Sequence, residues 1–218
     1  MQIKYGKYEF ALPDSLNEIT IASKIEFQAK YGKLLSDKYK SLPEGELAQL
    51  EECEYVLTAS ACHIAHYGGI NYDSVFKSFP YDLLMQVYHE SLVPLIEQEQ
   101  AINLVSEIEY SGEIWQLTNP ILTNGTQLTA GQFATAKRII QQLVSIGNGN
   151  YEALPYLCAI YLQKKGEAYN EALIDERVKL FRNMSLADGL KVGFFLRSCL
   201  NLLKLITAYS NQIIQSQT

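Results

Sequence analysis

LPYLCAIYLQKKGEAYNEALIDERVKLFRNMSLADGLKVGFFLRSCLNLL, residues 154–203, is the stretch on which the fold turns. Its apolar spacing reads as three helices in succession. The first is apolar and ends at Lys164-Lys165-Gly166. The second is short and charged, carrying Asp175, Glu176, Arg177 and Phe181. The third is long and apolar and starts at Ser185, whose hydroxyl can accept from the free N–H groups of a first helical turn. No side chain in the stretch reads as a catalytic group, so the fold is legible before any chemistry is.

Outward from there, the rest of the chain repeats the same vocabulary. Residues 2–12 alternate around Gly6-Lys7 and predict a hairpin, with Ile3, Tyr5, Tyr8 and Phe10 as strand formers. Thr20 is a cap for a helix carrying Ile21, Ile25 and Phe27, expected to stop at Gly32. The basic run Lys30–Lys40 then reads as a solvated connector. Ser41-Leu42-Pro43-Glu44 predicts the next helix start, Gly68-Gly69 its end, and Phe79-Pro80 another start. Pro94 should bend that last helix, because it lacks the donor a helix interior needs. Residues 107–117 predict a second hairpin around Ser111-Gly112. Asn124-Gly125 reads as a tight turn, and Thr129 caps a helix over Ala130–Ile146 that Gly147-Asn148-Gly149 ends. The expected class is therefore mainly α with small β-hairpins (α+β).

The two halves carry these signals in one order. Ile3, Tyr5, Phe10 and Leu12 find counterparts 105 residues on in Ile108, Tyr110, Trp115 and Leu117. FKSFPYDLLMQV (76–87) answers FRNMSLADGLKV (181–192), and the second half adds a helical stretch near Ala172–Lys179. This order predicts an internal duplication, residues 1–105 and 106–218, with two hairpin-plus-helices halves around a shared core.

Composition narrows the function classes. The chain has 218 residues, 48% hydrophobic and 19% charged, enough apolar material for a sizeable core. A net charge of −6 makes it a poor default partner for phosphate backbones, so no nucleic acid is expected. The most apolar window, residues 190–209, holds Lys191, Arg197 and Lys204, which argues against a membrane span. MQIKYGKYEF has no apolar run of signal-peptide length. Cys53, Cys62, Cys158 and Cys199 form no CxxC pair and read as free thiols in a reducing compartment.

Chemistry is sparse. Cys62 and His66, four apart on a helix with His63 beside them, are the best metal candidates. Zinc would need two further ligands, and His89 is the only other histidine; packing in a helical core is the stronger reading. Asp175 and Glu176 are adjacent on a helix and diverge by about 100°. Glu176, Arg177 and Lys179 read as a solvated face. There is no GxxxxGK[ST] or GxGxxG loop. Catalytic residues, metal and cofactors are accordingly all read as none. The fifteen tyrosines, among them Tyr5, Tyr8, Tyr31, Tyr39, Tyr151 and Tyr156, divide between core filling and a contact surface.

Two patterns carry a resemblance. One is a strand pair followed by a short helix start, Glu18–Ile21 and again Gln127–Phe133. The other is the order of helix signals from Leu154 to Leu196. Together they resemble the tail assembly chaperone-like proteins of tailed bacteriophages, especially those of gut Bacteroidetes. The match covers most of the chain loosely and residues 128–200 best; this chain is about twice the length of the commoner short chaperones. The resemblance implies a non-enzymatic helical protein in the host bacterial cytoplasm that holds an apolar client, such as the tape-measure protein, soluble until the tail assembles. A structural virion component (neck, tail or packaged protein) is the alternative. The closing helix is apolar on more than one face, which points to Leu190, Phe194, Phe195 and Leu202, with Tyr156, as protein-binding residues, or to a homo-oligomer. Gly189 and Gly193 would leave a smooth groove there for another helix.

Overall fold

The computed structural model describes residues 1–43, 45, 47–103, 105–118, 128–145 and 150–194. It is mainly helical with two small antiparallel sheets, and the chain divides into two compact units, Met1–Ala101 and Ile102–Thr218.

In the first unit, β1 (Gln2–Tyr5) and β2 (Tyr8–Ala11) pair antiparallel with Ile3 opposite Phe10 and Tyr5 opposite Tyr8. Gly6 takes the positive φ of +56° that such a two-residue turn demands at its first position. The alternation turns Ile3 inward, and Tyr5, Tyr8 and Phe10 surround the Phe79 ring at 5.0, 5.5 and 6.4 Å. Helix α1 (Ile21–Lys40) is capped as expected, Ser23 N–H donating to Thr20 Oγ1 at 3.1 Å. It does not stop at Gly32, and the basic run is its last turns rather than a connector. A helical glycine costs about 1 kcal/mol, and burial of Tyr31 against Cys62 and Ala65 outweighs it.

Helix α2 (Ala48–Tyr67) begins six residues after Leu42, the first position of the expected start. Ser41 instead closes α1, its hydroxyl donating to Lys38 O. Helices α3 (Tyr72–Ser78, capped by Asn71) and α4 (Tyr81–Val87, opened by Pro80) follow. A widened π-turn, Tyr88–Leu92, then leads into α5 (Val93–Gln100). Pro94 explains the π-turn. It cannot donate to the Glu90 carbonyl and its ring would crowd it. The ladder shifts by one residue instead, Val93 N–H reaching Tyr88 O. The core of this unit gathers Ile3, Leu12, Ala61, Ile64, Val75, Leu84 and Val87.

In the second unit, β3 (Glu107–Tyr110) and β4 (Glu113–Leu117) form a hairpin with positive φ at both Ser111 and Gly112. Its register is that of the first hairpin moved by 105 residues: Ile108 faces Trp115, and Ile108, like Ile3, is buried. Tyr110 OH donates to Leu180 O at 3.1 Å, as Tyr5 OH does to Ser78 O at 3.2 Å. Helix α6 (Ala130–Ser145) is capped by Thr129, and a 3-10 turn (Asn150–Ala153) leads into α7 (Leu154–Tyr161).

Here the structure corrects the reading of the deciding stretch. Helix α7 ends at Tyr161, and Leu162–Lys164 form a strand, β5, antiparallel to β4. The second hairpin is therefore part of a three-stranded sheet, because the β4 edge supplies hydrogen-bonding partners that helical periodicity does not reveal. A 3-10 turn (Glu171–Leu173) and α8 (Ile174–Phe181) follow, packed on α7. Residues 186–194 are helical after the Ser185 cap, where Asp188 N–H donates to Ser185 Oγ at 3.1 Å. Asn124-Gly125, Ile146 and Gly147–Gly149 lie outside the described residues.

Candidate functional site

The helix over 186–194 turns Leu186 and Val192 fully inward. Leu190 is half-buried and Phe194 is 39% exposed; being four apart, they share a stripe of the helix. Tyr156 on α7 is half-buried. Phe195 and Leu202 lie outside the described residues. The expected smooth groove is not open at Gly193. A Cβ there would stand 2.9 Å from Leu154 Cδ2, so the chain's own α7 already takes the close approach. Gly189 is buried as well.

The most exposed large apolar side chains lie elsewhere. At the end of α1 and the start of α2, Tyr39 is 63%, Leu47 64% and Leu50 70% exposed. Tyr39 packs at a tilt on Tyr55 at 5.7 Å, and Tyr81, at the start of α4, reaches Cys53 through a 3.4 Å contact between hydroxyl and thiol. Lys38 pairs with Glu54 beside them. Leu47 and Leu50 belong to the apolar positions of the helix that runs on to Ile64. The structure leaves them outside because the first turn of α2 projects past its neighbours: contacts begin at Cys53–Tyr55, and full burial only at Thr58, Ser60, Ala61 and Ile64.

The metal candidates separate into packing roles. Cys62 is fully buried, and burial pushes its thiol pKa up to about 12. His63 is 2% exposed and sits 2.8 Å from Ser91 Oγ. Ser91 spends its one hydrogen on Pro13 O, so His63 must carry its proton on Nε2 and donate. Burial lowers the His63 pKa to about 3, which keeps the ring neutral. The π-turn holds Ser91 in this position. His66 Nε2 lies 3.0 Å from Ser23 O and donates to it. No group of three His, Cys, Asp or Glu that could hold a metal occurs among the described residues.

In the second unit the structure corrects the solvated-face reading. Arg177 is only 6% exposed. Its guanidinium donates to Gln163 Oε1 at 2.9 Å and pairs with Glu167, while stacking 5.4 Å from the centre of Trp115. Lys164 lies over the same indole and pairs with Glu113 at 2.8 Å. A cleft of about 400 Å³ opens here between Glu113, Trp115, Lys164, Glu167 and Arg177. A second cleft of about 400 Å³ lies in the first unit, between β2 and residues 68–74. In the second-unit cleft Lys164 is matched by Glu113 and Arg177 by Glu167, with Glu176 also on its rim, and the two pairs act as a structural clamp on β5. Sequence reading missed the cluster because α8 alone shows three charges in a row. Only the strand at 162–164 shows that one of them points inward.

Among the described residues, no helix is long and apolar enough to cross a membrane. No protein-family model matches this sequence, and neither curated proteins nor solved structures contain a match.

Proposed function

We propose that this chain is a non-enzymatic binding protein of the tail assembly chaperone-like kind, covering an apolar helical client such as a phage tape-measure protein in the host cytoplasm. The observation that carries the reading is the exposure of Tyr39, Leu47 and Leu50, at the end of α1 and the start of α2. Leu190 and Phe194 supply a second, smaller stripe, and Tyr156 is half-buried on α7. An amphipathic helix can lay its apolar face on such a strip. Burying two or three of these side chains contributes roughly 3–8 kcal/mol before ordering costs. The net charge of −6 favours a free, soluble carrier. The matching hairpin registers and tyrosine anchors support the companion proposal that the units are duplicated copies.

Co-expression with a long helical phage tail protein tests it. The client should stay in the soluble fraction with the wild-type chain and precipitate with Leu50→Asp or Phe194→Asp, each variant itself remaining folded. A client equally soluble without this chain overturns the reading. Recovery of the chain in purified particles would then favour a structural virion component.

A further inference from the structure

Leu162–Lys164 form a strand where the order of elements calls for a helix. Gly69 and Gly166 both take positive φ, +67° and +79°, and each stands three residues before a tyrosine, Tyr72 and Tyr169. Counted back from these glycines, Leu162–Lys164 match residues 65–67, which are the last turn of α2. The local sequence also favours the helix. Leu154, Leu157, Cys158 and Tyr161 are buried at helical spacing, and Leu162 continues their stripe four residues after Cys158. Gln163, Lys164 and Lys165 are good helix formers.

What ends α7 is a set of side-chain bonds. One more helical turn would send Lys164 N–H to Ile160 O and Lys165 N–H to Tyr161 O. Instead, Ile160 O accepts from Gln132 Nε2 at 2.9 Å and Gln163 Nε2 at 3.0 Å. Tyr161 O accepts from Thr118 N–H at 2.9 Å and Thr118 Oγ1 at 3.1 Å. Lys164 N–H goes to Glu167 Oε2 at 3.1 Å. Arg177 closes the set, donating to Gln163 Oε1 and pairing with the same Glu167 carboxylate. In the first unit Pro13 stands 105 residues before Thr118 and has no N–H to offer; α2 keeps its last turn there. The groups at the break, Ile160 O, Tyr161 O and Lys164 N–H, therefore have two sets of partners, one in the strand form and one in the helix.

We propose that residues 162–165 exchange between strand β5 and one further turn of α7, with Arg177 as the latch that sets the balance. Two arrangements of a short segment that satisfy the same main-chain groups make a two-state element. Arg177 favours only the strand form, because rewinding the segment turns Gln163 off its guanidinium. The helical form withdraws β5 from β4, so the latch decides whether the outer edge of the second sheet is covered. The bond sets stand on the second unit alone, and the proposal is independent of the exposed residues on α1 and α2.

The test is carbon exchange-saturation NMR on the full chain. In the wild type a minor form of residues 162–165, populated at about 0.1–10%, is expected, with Cα shifts on the helical side and those of β3 unmoved. Arg177→Met keeps the bulk and removes the charge-assisted bonds; it should raise the helical population about tenfold or more. Lys164→Pro should abolish the exchange. Proline cannot donate within a helix and drives the residue before it to extended backbone, while the strand loses no ladder bond, since Lys164 N–H is turned to Glu167. A minor form with random-coil shifts means fraying and overturns the proposal. So does exchange that persists in Lys164→Pro, or a helical form absent from both wild type and Arg177→Met. Where Arg177→Met fails to fold, the wild-type spectra decide: no helical minor form there overturns it.

Discussion

Acidification should loosen the first unit through His63, and the size of the effect follows from the fold. The ring is 2% exposed and its Nε2–H is committed to Ser91, which is itself committed to Pro13 O. Protonating the other ring nitrogen would place a cation in that apolar interior. Burial thus lowers the folded pKa to about 3, against 6.5 in the unfolded chain. The unfolded state binds the extra proton first, so the neutral ring's contribution is complete above about pH 6.5 and is lost as pH falls toward about 3. The loss is about 2 kcal/mol at about pH 5 and about 3 kcal/mol at about pH 4. Carboxylates and His66, whose pKa burial also lowers, add their own acid dependence, so the comparison is with His63→Gln. Glutamine places an amide donor near the same point toward Ser91 but cannot titrate. Urea melts from about pH 7.5 to about pH 5 should show wild type losing about 2 kcal/mol more than the variant. Parallel losses in the two proteins would refute a buried neutral His63.

Arg177→Ala should destabilise the second unit by about 3–5 kcal/mol in a denaturant melt, because Glu167 and Gln163 are left without their partner; a loss below about 1 kcal/mol would mean the cluster is solvated. Gly68→Ala should cost about 1–3 kcal/mol and shift the Phe10 resonances, since the added carbon meets that ring and the Ile64 carbonyl. Ser185→Ala removes a cap and should cost about 1 kcal/mol by the same measurement. In a thiol-labelling time course on the native protein, Cys53 should react well before Cys62 and Cys158, whose thiols burial holds protonated.

Some local chemistry that acts within a turn was legible. Thr20, Thr129 and Ser185 cap helices as expected, each accepting from an N–H three residues on, whereas Ser41, expected to open a helix, closes one. The hairpins could be read from alternation and their two-residue turns. Tertiary competition could not. Gly32 looks like a stop signal, and only the contact of Tyr31 with Cys62 and Ala65 shows why α1 passes through it. Leu162–Lys164 continues a helical apolar pattern, yet an open strand edge 45 residues earlier in the chain recruits it.

The candidate surface was half legible for the same reason. Periodicity separates apolar from polar faces, but it cannot say how far along a helix the neighbour extends. On α2 the apolar stripe runs from Leu47 to Ile64, and only its second half is covered. On the closing helix the stripe promised an open groove, and Leu154 fills it at Gly193. Excess apolar surface in a sequence is therefore evidence for a partner only after the chain's own helices have been laid over it. Applied here, that criterion moves the leading contact surface from the closing helix to Tyr39, Leu47 and Leu50. It also makes Leu50→Asp the sharper variant. Leu50 is 70% exposed, so the aspartate costs the isolated fold little, whereas Phe194 is 39% exposed and its aspartate also disturbs packing within the fold. A client that precipitates with Leu50→Asp while the chain keeps its melting temperature separates binding from stability, and a client indifferent to Leu50→Asp but lost with Phe194→Asp would return the surface to the closing helix.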